Sequence, residues 1–327
     1  MVPPQSLALL LWRLRRQSAL YMFGSGASAP VVPLAPALMW HTAKGYIDLG
    51  SFPTELPPTT VITERIQAHA VGQSFDDRPL FPGTPGPPYQ EMLQRLPYGG
   101  AIAAYMHQLA KQRFARRRIP NYTVLRRFCP SILLNYNLDG LASDTCGDIH
   151  LVVAMHGSVG AEYGSPGGAE WARVAQEYGL DTPHDGLHPI GPESFTDERL
   201  HRRLRVMQQR NPRFLMIVGY SFGKFEGGYD DQVSLNTLIG RFRDVPIDIY
   251  VCDPRPDDPA GMLGEELRSN RVHGFPVYWN VLAWAFSRVL AGKLDVSCLD
   301  YLHEMTLDSR GSGFLPECRF ERVCDAA

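Results

Sequence analysis

Asn137 and Asp139 stand on either side of Leu138 in the segment NYNLDGL, residues 135 to 141. In an extended backbone, side chains two positions apart point the same way, so this amide and carboxylate share a side. Such a pair can hold a polar ligand, and it can equally well cap a turn or a helix start. His156 follows an apolar run in AMHGSV, residues 154 to 159, with Gly157 beside it. An imidazole there can take up a proton near neutral pH, although many histidines at strand ends are structural. Ser221 offers a hydroxyl just after Gly219 in IVGYSFG, residues 217 to 223. Asp253, in VCDP, can accept hydrogen bonds from ribose hydroxyls, or it can start an Asp-Pro turn. Finally, YMFGSGASAP, residues 21 to 30, places Gly24, Ser25, Gly26, Ala27 and Ser28 where an apolar run ends. A strand that passes through a glycine turn into a helix can hold a phosphate on its backbone N–H groups. Taken one at a time, each of these features is matched by an ordinary tight turn or strand end.

The elements that would carry them are legible as apolar runs of strand length. ALYMF (19–23), SILLNYN (131–137), HLVVAM (150–155), RFLMIVG (213–219) and IDIYVC (247–252) are mostly continuous in hydrophobic residues. Strands covered by helices on both faces have that character. Helical periodicity is expected around 5–17, 99–117, 168–179, 196–210, 231–243, 259–269 and 279–291. Strands alternating with helices predict an α/β fold with a parallel sheet and helices on both faces. The candidate residues then fall at the C-terminal ends of the strands, where open parallel sheets bind ligands.

Two stretches exceed a minimal repeat of strand and helix. Residues 50 to 98 are rich in Pro and Gly, and residues 158 to 195 contain GSPGG and DTPHDGLHPIGP. We therefore expect one domain over 1–292, with loop-rich and helical insertions at about 50–120 and 158–210, followed by a tail over 293–327 with little periodicity. The basic run KQRFARRR at 111 to 118 reads first as a solvated helix face and second as a partner-binding face. Direct nucleic-acid binding ranks third, because aromatic interleaving is sparse.

Composition narrows the classes further. The 327 residues include 32 Lys and Arg against 34 Asp and Glu, a formal net charge of −2, which argues against non-specific nucleic-acid binding. LALLLW at 7 to 12 is too short to span a bilayer. Its positive residues, Arg13, Arg15 and Arg16, come after the apolar run, the reverse of a secretory signal. A cytoplasmic location without membrane attachment is the expectation. The six cysteines form no Cys-x-x-Cys pair, so no zinc ribbon and no metal site is expected, and reduced thiols are favoured over disulfides.

In combination the motifs are more specific than any one of them. Gly-x-Gly-x-Ser (24–28), Asn-x-Asp-Gly-Leu (137–141), His-Gly (156–157) and Gly-x-Ser-Phe (219–222) occur in that order on alternating strands. This order resembles the sirtuin family, the NAD-binding silent information regulators, over about residues 5 to 292. Two departures set the chain apart from the protein deacylases. The segment 158–212 has no cysteine where a zinc ribbon would lie, and APVVPLAP stands where a Pro-Asp-Phe-Arg element is usual. The longer GYSFGKFEGGYDD is more similar to the prokaryotic sirtuin-like enzymes that hydrolyse NAD+ in anti-phage defence.

That resemblance implies a sirtuin-type Rossmann-like fold and an NAD+ glycohydrolase that releases nicotinamide and ADP-ribose, with NAD+ as substrate and no metal. Gly24 to Ser28 would cradle the pyrophosphate, and Gly219 would join them in binding NAD+. Asn137 would orient the ribose and the attacking water, Asp139 would hold the nicotinamide carboxamide, and His156 would act as general base. Ser221 and Asp253 would fix the adenosine ribose. A non-hydrolytic NAD+ or ADP-ribose sensor subunit uses most of the same residues and is the alternative. Deacylation of lysines is disfavoured by the missing ribbon. Relatives of this kind work as homo-oligomers or with a HerA-type ATPase or a short Argonaute. Control through assembly is therefore expected, with 50–98, 111–118 and the segment after 292 as the candidate surfaces.

Overall fold

The computed structural model describes residues 7–28, 121–137, 139–155, 201, 203–206, 211–222, 231–267 and 272–302. Both expected insertions lie outside these residues, apart from 201 and 203–206, which are helical. The basic run at 111–118 and the chain beyond 302 lie outside them as well.

Six parallel strands form the sheet: β1 (Ala19–Phe23), β2 (Ile132–Asn135), β3 (Leu151–Ala154), β4 (Phe214–Val218), β5 (Asp248–Asp253) and β6 (Val272–Pro276). Their order is β3-β2-β1-β4-β5-β6, the doubly wound Rossmann-like order. Every neighbouring pair is parallel. The chain reverses its direction of travel across the sheet between β1 and β4, and a crevice opens at the C-terminal ends of strands at such a point.

Along β1 to β5, successive side chains face two separate cores in turn. Tyr21, Phe23, Leu133, Met216, Val218 and Tyr250 face one core. Leu20, Met22, Ile132, Leu134, Ile217 and Val251 face the other. With both faces covered, neither phase of the strand is free to be polar, which explains the continuous apolar runs.

The first core is closed by α1 (Leu7–Arg16), α2 (Ser25–Ser28), α3 (Leu141–Cys146) and α6 (Trp279–Leu290), with a 3-10 turn at Thr123–Arg127. Leu7, Leu10, Leu11 and Leu14 of α1 recur at helical spacing and are buried. The second core is closed by α4 (Gln232–Phe242), α5 (Asp257–Leu267) and residues 203–206. Asp231 caps α4 by accepting the Ser234 amide at 3.0 Å, which fixes the helix start.

Two elements depart from the sequence expectation. β6 was not evident, because VHGFP is an edge strand with only Phe275 buried and carries little apolar signal. The segment from 293 also joins the first core as far as Leu302. It forms a 3-10 helix at Val296–Tyr301 that buries Cys298, Leu299 and Leu302 beside α1. Among the described residues Cys129, Cys146, Cys252 and Cys298 are free thiols. No described helix is long and apolar enough to cross a membrane.

Candidate functional site

The C-terminal ends of β1 and β4 touch through glycine. Gly24 donates its N–H to the Val218 carbonyl at 3.0 Å, and Gly26 donates to the Gly219 carbonyl at 3.2 Å. A Cβ on Gly24 would lie 2.4 Å from the Gly219 oxygen, and one on Gly26 would lie 2.7 Å from the Gly219 Cα. Gly219 has φ +53°, a left-handed conformation open to glycine at little cost. The small residues of the first turn therefore admit the backbone of the second. The amides of Gly24, Gly26 and Ala27 all bond to protein carbonyls, and the space beside Gly24 and Gly26 is filled by the opposite turn.

Behind that contact α2 carries Ser25, Gly26, Ala27 and Ser28, with Ala27 and Ser28 buried. Ser28 is the centre of a buried polar network. Its hydroxyl donates to Asp139 Oδ2 at 2.7 Å. Tyr122 OH lies 2.6 Å from Ser28 Oγ. Asn137 Nδ2 donates to Ser28 Oγ at 3.1 Å and to Tyr122 OH at 3.0 Å. The spacing argument for Asn137 and Asp139 holds to this extent: both side chains reach one hydroxyl. The capping alternative holds too, since Asp139 Oδ1 accepts the Leu141 amide at 3.1 Å at the start of α3.

Asp139 is fully buried, and burial is the largest influence on its carboxyl, pushing it up from 3.8 to about 6. The Ser28 hydroxyl and the Leu141 amide act in the opposite direction. At neutral pH the group is therefore ionised and accepts at both oxygens. The Tyr122 phenol is held well above its usual range, first by burial and then by the neighbouring Asp139 charge, so it stays protonated. Asn137 Oδ1 is buried and has no hydrogen-bond partner among the described residues. Asn135, two residues earlier on β2, accepts the Asn137 amide on its Oδ1 at 3.2 Å, while its Nδ2 is likewise buried and without a partner among the described residues. Buried polar groups are rarely left this way without water or a ligand.

Further hydrogen bonds tie the network to the fold. Asn121 Nδ2 donates to the Ala27 carbonyl at 2.8 Å, and Trp279 Nε1 donates to the Asn121 carbonyl at 2.9 Å. Helix α6 is thus tied through Asn121 to α2. The Phe23 ring, the last residue of β1, meets Trp279 edge-on with centroids 5.4 Å apart. On the other face Tyr136 stacks on Tyr220 at 4.1 Å, above Gly24, whose Cβ would lie 2.7 Å from the Tyr220 Cα. Tyr220 OH donates to Asp231, the cap of α4.

Ser28, Asn137 and Asp139 are brought together, and so are Gly24, Gly26 and Gly219. Ser221 is half-buried and follows β4, and Asp253 is half-buried at the end of β5, further along the same sheet edge. Asp253 Oδ1 accepts the Arg255 amide at 2.8 Å, the turn contact expected of Asp-Pro. His156 and Gly157 lie outside the described residues. Tyr122, Asn121, Asn135 and Trp279 were not singled out from the sequence. Only Asn135 carried a local signal, as the first polar residue after ILL and two positions before Asn137.

Among the described residues no group of three or more His, Cys, Asp or Glu is placed to hold a metal ion. Compared with known proteins, the chain matches no family model and no curated relative.

Proposed function

We propose that the chain is an NAD+ glycohydrolase of sirtuin-like type, cleaving the nicotinamide–ribose bond. The observation that carries this reading is the amide oxygen of Asn137. It is a buried acceptor without a partner among the described residues, and it follows β2 beside the strand-order reversal of a Rossmann-like sheet. The motif order along the chain supplies the family. Hydrolysis of this bond needs an oriented water, because positive charge builds on the ribose as nicotinamide leaves. The C1′–N bond breaks with its electron pair going to nicotinamide. The water oxygen bonds to C1′, and its proton passes to a base, which this reading assigns to His156. The products are nicotinamide, ADP-ribose and a proton.

Asn137 Oδ1 would accept from the attacking water or a ribose hydroxyl and so fix its angle of approach. Orientation of this kind lowers a barrier without any new chemistry. Asp139 has both oxygens engaged by Ser28 and the Leu141 amide. Its geometry favours holding Ser28 and Asn137 in place over direct contact with the carboxamide. Ser221 and Asp253, on the next strand ends, remain the candidates for the adenosine ribose.

The deciding experiment is nicotinamide release from NAD+ by the purified chain, with and without proteins that co-purify with it. Wild-type release, reduced at least a hundredfold in Asn137→Ala and in His156→Ala, is the expected result, the general-base share alone being roughly a hundredfold to ten-thousandfold. NAD+ binding without release, with or without those proteins, would replace hydrolysis by the sensor reading. The defence role, and assembly as the control, belong to the same proposal. Mass photometry alongside the assay tests control by assembly, and a fully active monomer without a partner would refute it.

A further inference from the structure

We infer that Tyr122 is a positioning residue, whose hydroxyl, together with Ser28, locks the Asn137 amide so that its oxygen faces the reaction. The inference rests on the glycohydrolase reading for its consequence, and on hydrogen-bond accounting for its geometry.

The accounting starts from Asp139. An ionised carboxylate only accepts, so the single Ser28 proton is committed to Asp139 Oδ2 at 2.7 Å. Ser28 Oγ and Tyr122 OH are 2.6 Å apart, and the phenol must supply the proton between them. Both oxygens then offer only lone pairs to Asn137. An amide nitrogen placed 3.1 Å from one and 3.0 Å from the other can satisfy them only by presenting its NH2. Flipped by half a turn, Asn137 would set its oxygen against two acceptors with no hydrogen between them. The orientation is therefore dictated, and it leaves Oδ1 as the atom without a partner among the described residues.

Tyr122 is itself held hard. It is fully buried, its ring packs against Phe23 with centroids 6.0 Å apart, and the preceding residue is bonded to Ala27 of α2. Removing only its hydroxyl leaves that packing and deletes half of the fork that holds the amide.

The test compares the full wild-type chain with Tyr122→Phe by two readouts. The first is the kcat and KM of nicotinamide release. The second is exchange with water of the Asn137 side-chain NH2, read by NMR on asparagine-labelled protein and assigned by its loss in Asn137→Ala. We expect kcat to fall about tenfold with KM nearly unchanged, and NH2 exchange to quicken about tenfold. Should Tyr122→Phe fail to fold, Ser28→Ala removes the other acceptor and is read in the same way. Unchanged kcat or unchanged exchange in the folded variant overturns the inference. A wild-type chain that releases no nicotinamide defeats the glycohydrolase reading instead, and amide exchange then decides the positioning by itself.

Discussion

Gly26 and Gly219 approach so closely that a Cβ on Gly219 would fall 2.4 Å from the Gly26 Cα. The contact joins the turn after β1 to the turn after β4, at the place where the sheet reverses its strand order. Both neighbours at the clash are backbone, so no side-chain rotation relieves it.

Gly219→Ala adds a methyl to that contact and a strained left-handed residue. We expect it to cost roughly 2–4 kcal/mol of stability, measured by urea unfolding. Gly240→Ala is the control of opposite sign. Gly240 lies in α4 with open space around it, so alanine should stabilise by about 0.5–1 kcal/mol through helix propensity alone. Equal effects at the two positions would show that the turn contact is not the constraint.

Asp139 gives the fold an unusual pH dependence. Its carboxyl is raised to about 6 in the folded chain, against 3.8 as its ordinary value. Between those values the folded state binds more protons than the unfolded one, so this group's contribution to stability falls as pH rises from about 4 to 6. The cost above pH 6 is of order 3 kcal/mol. Asp139→Asn abolishes that contribution, so the difference in stability between variant and wild type should shift in the variant's favour across this range. Denaturant titrations at pH 4.5 and 7 measure the change, and a pH-independent difference would refute it.

Trp279→Phe probes the tie between α6 and α2. It leaves the buried Asn121 carbonyl without the indole N–H that reaches it at 2.9 Å, and it reduces the ring beside Phe23. We expect a loss of roughly 2–4 kcal/mol. If the network depends on this tie, exchange of the Asn137 NH2 also quickens. A destabilised variant with unchanged exchange would separate α6 from the site.

Thiol labelling should separate Cys129 from Cys146 and Cys252. Burial pushes Cys146 up to about 12 and Cys252 higher still, and both side chains are enclosed in the core. Cys129 is half-buried. At pH 8 an alkylating reagent should modify Cys129 well before the other two, since only the thiolate reacts. Peptide mapping by mass spectrometry reads the order, and rapid native labelling of Cys146 or Cys252 would refute it.

The sheet was largely legible because its strands are buried on both faces. ALYMF, FLMIV and IYVC permit no polar phase, and that enclosure is written into consecutive residues. The leucines of α1 carry their own period. β6 escaped because an edge strand needs only one buried side chain, and VHGFP supplies little more. At the site, Asn137 and Asp139 could be paired from their spacing, and the glycines of 24–28 and 219 stood out by their smallness. What the glycines accommodate was not readable, since the partner of Gly26 lies in another turn.

By itself, then, the order of residues determined the local elements and the polar groups at their ends, because helix and strand periods depend on neighbours a few positions apart. The tertiary structure alone decided which of those groups meet. Tyr122 joins Ser28 across 94 residues because β2 lies beside β1, with Asn135 in register with Phe23. Gly219 meets Gly26 because β4 flanks β1 on the other side, with Val218 opposite the same Phe23. No local pattern encodes a strand order, which is set by the burial of both sheet faces at once.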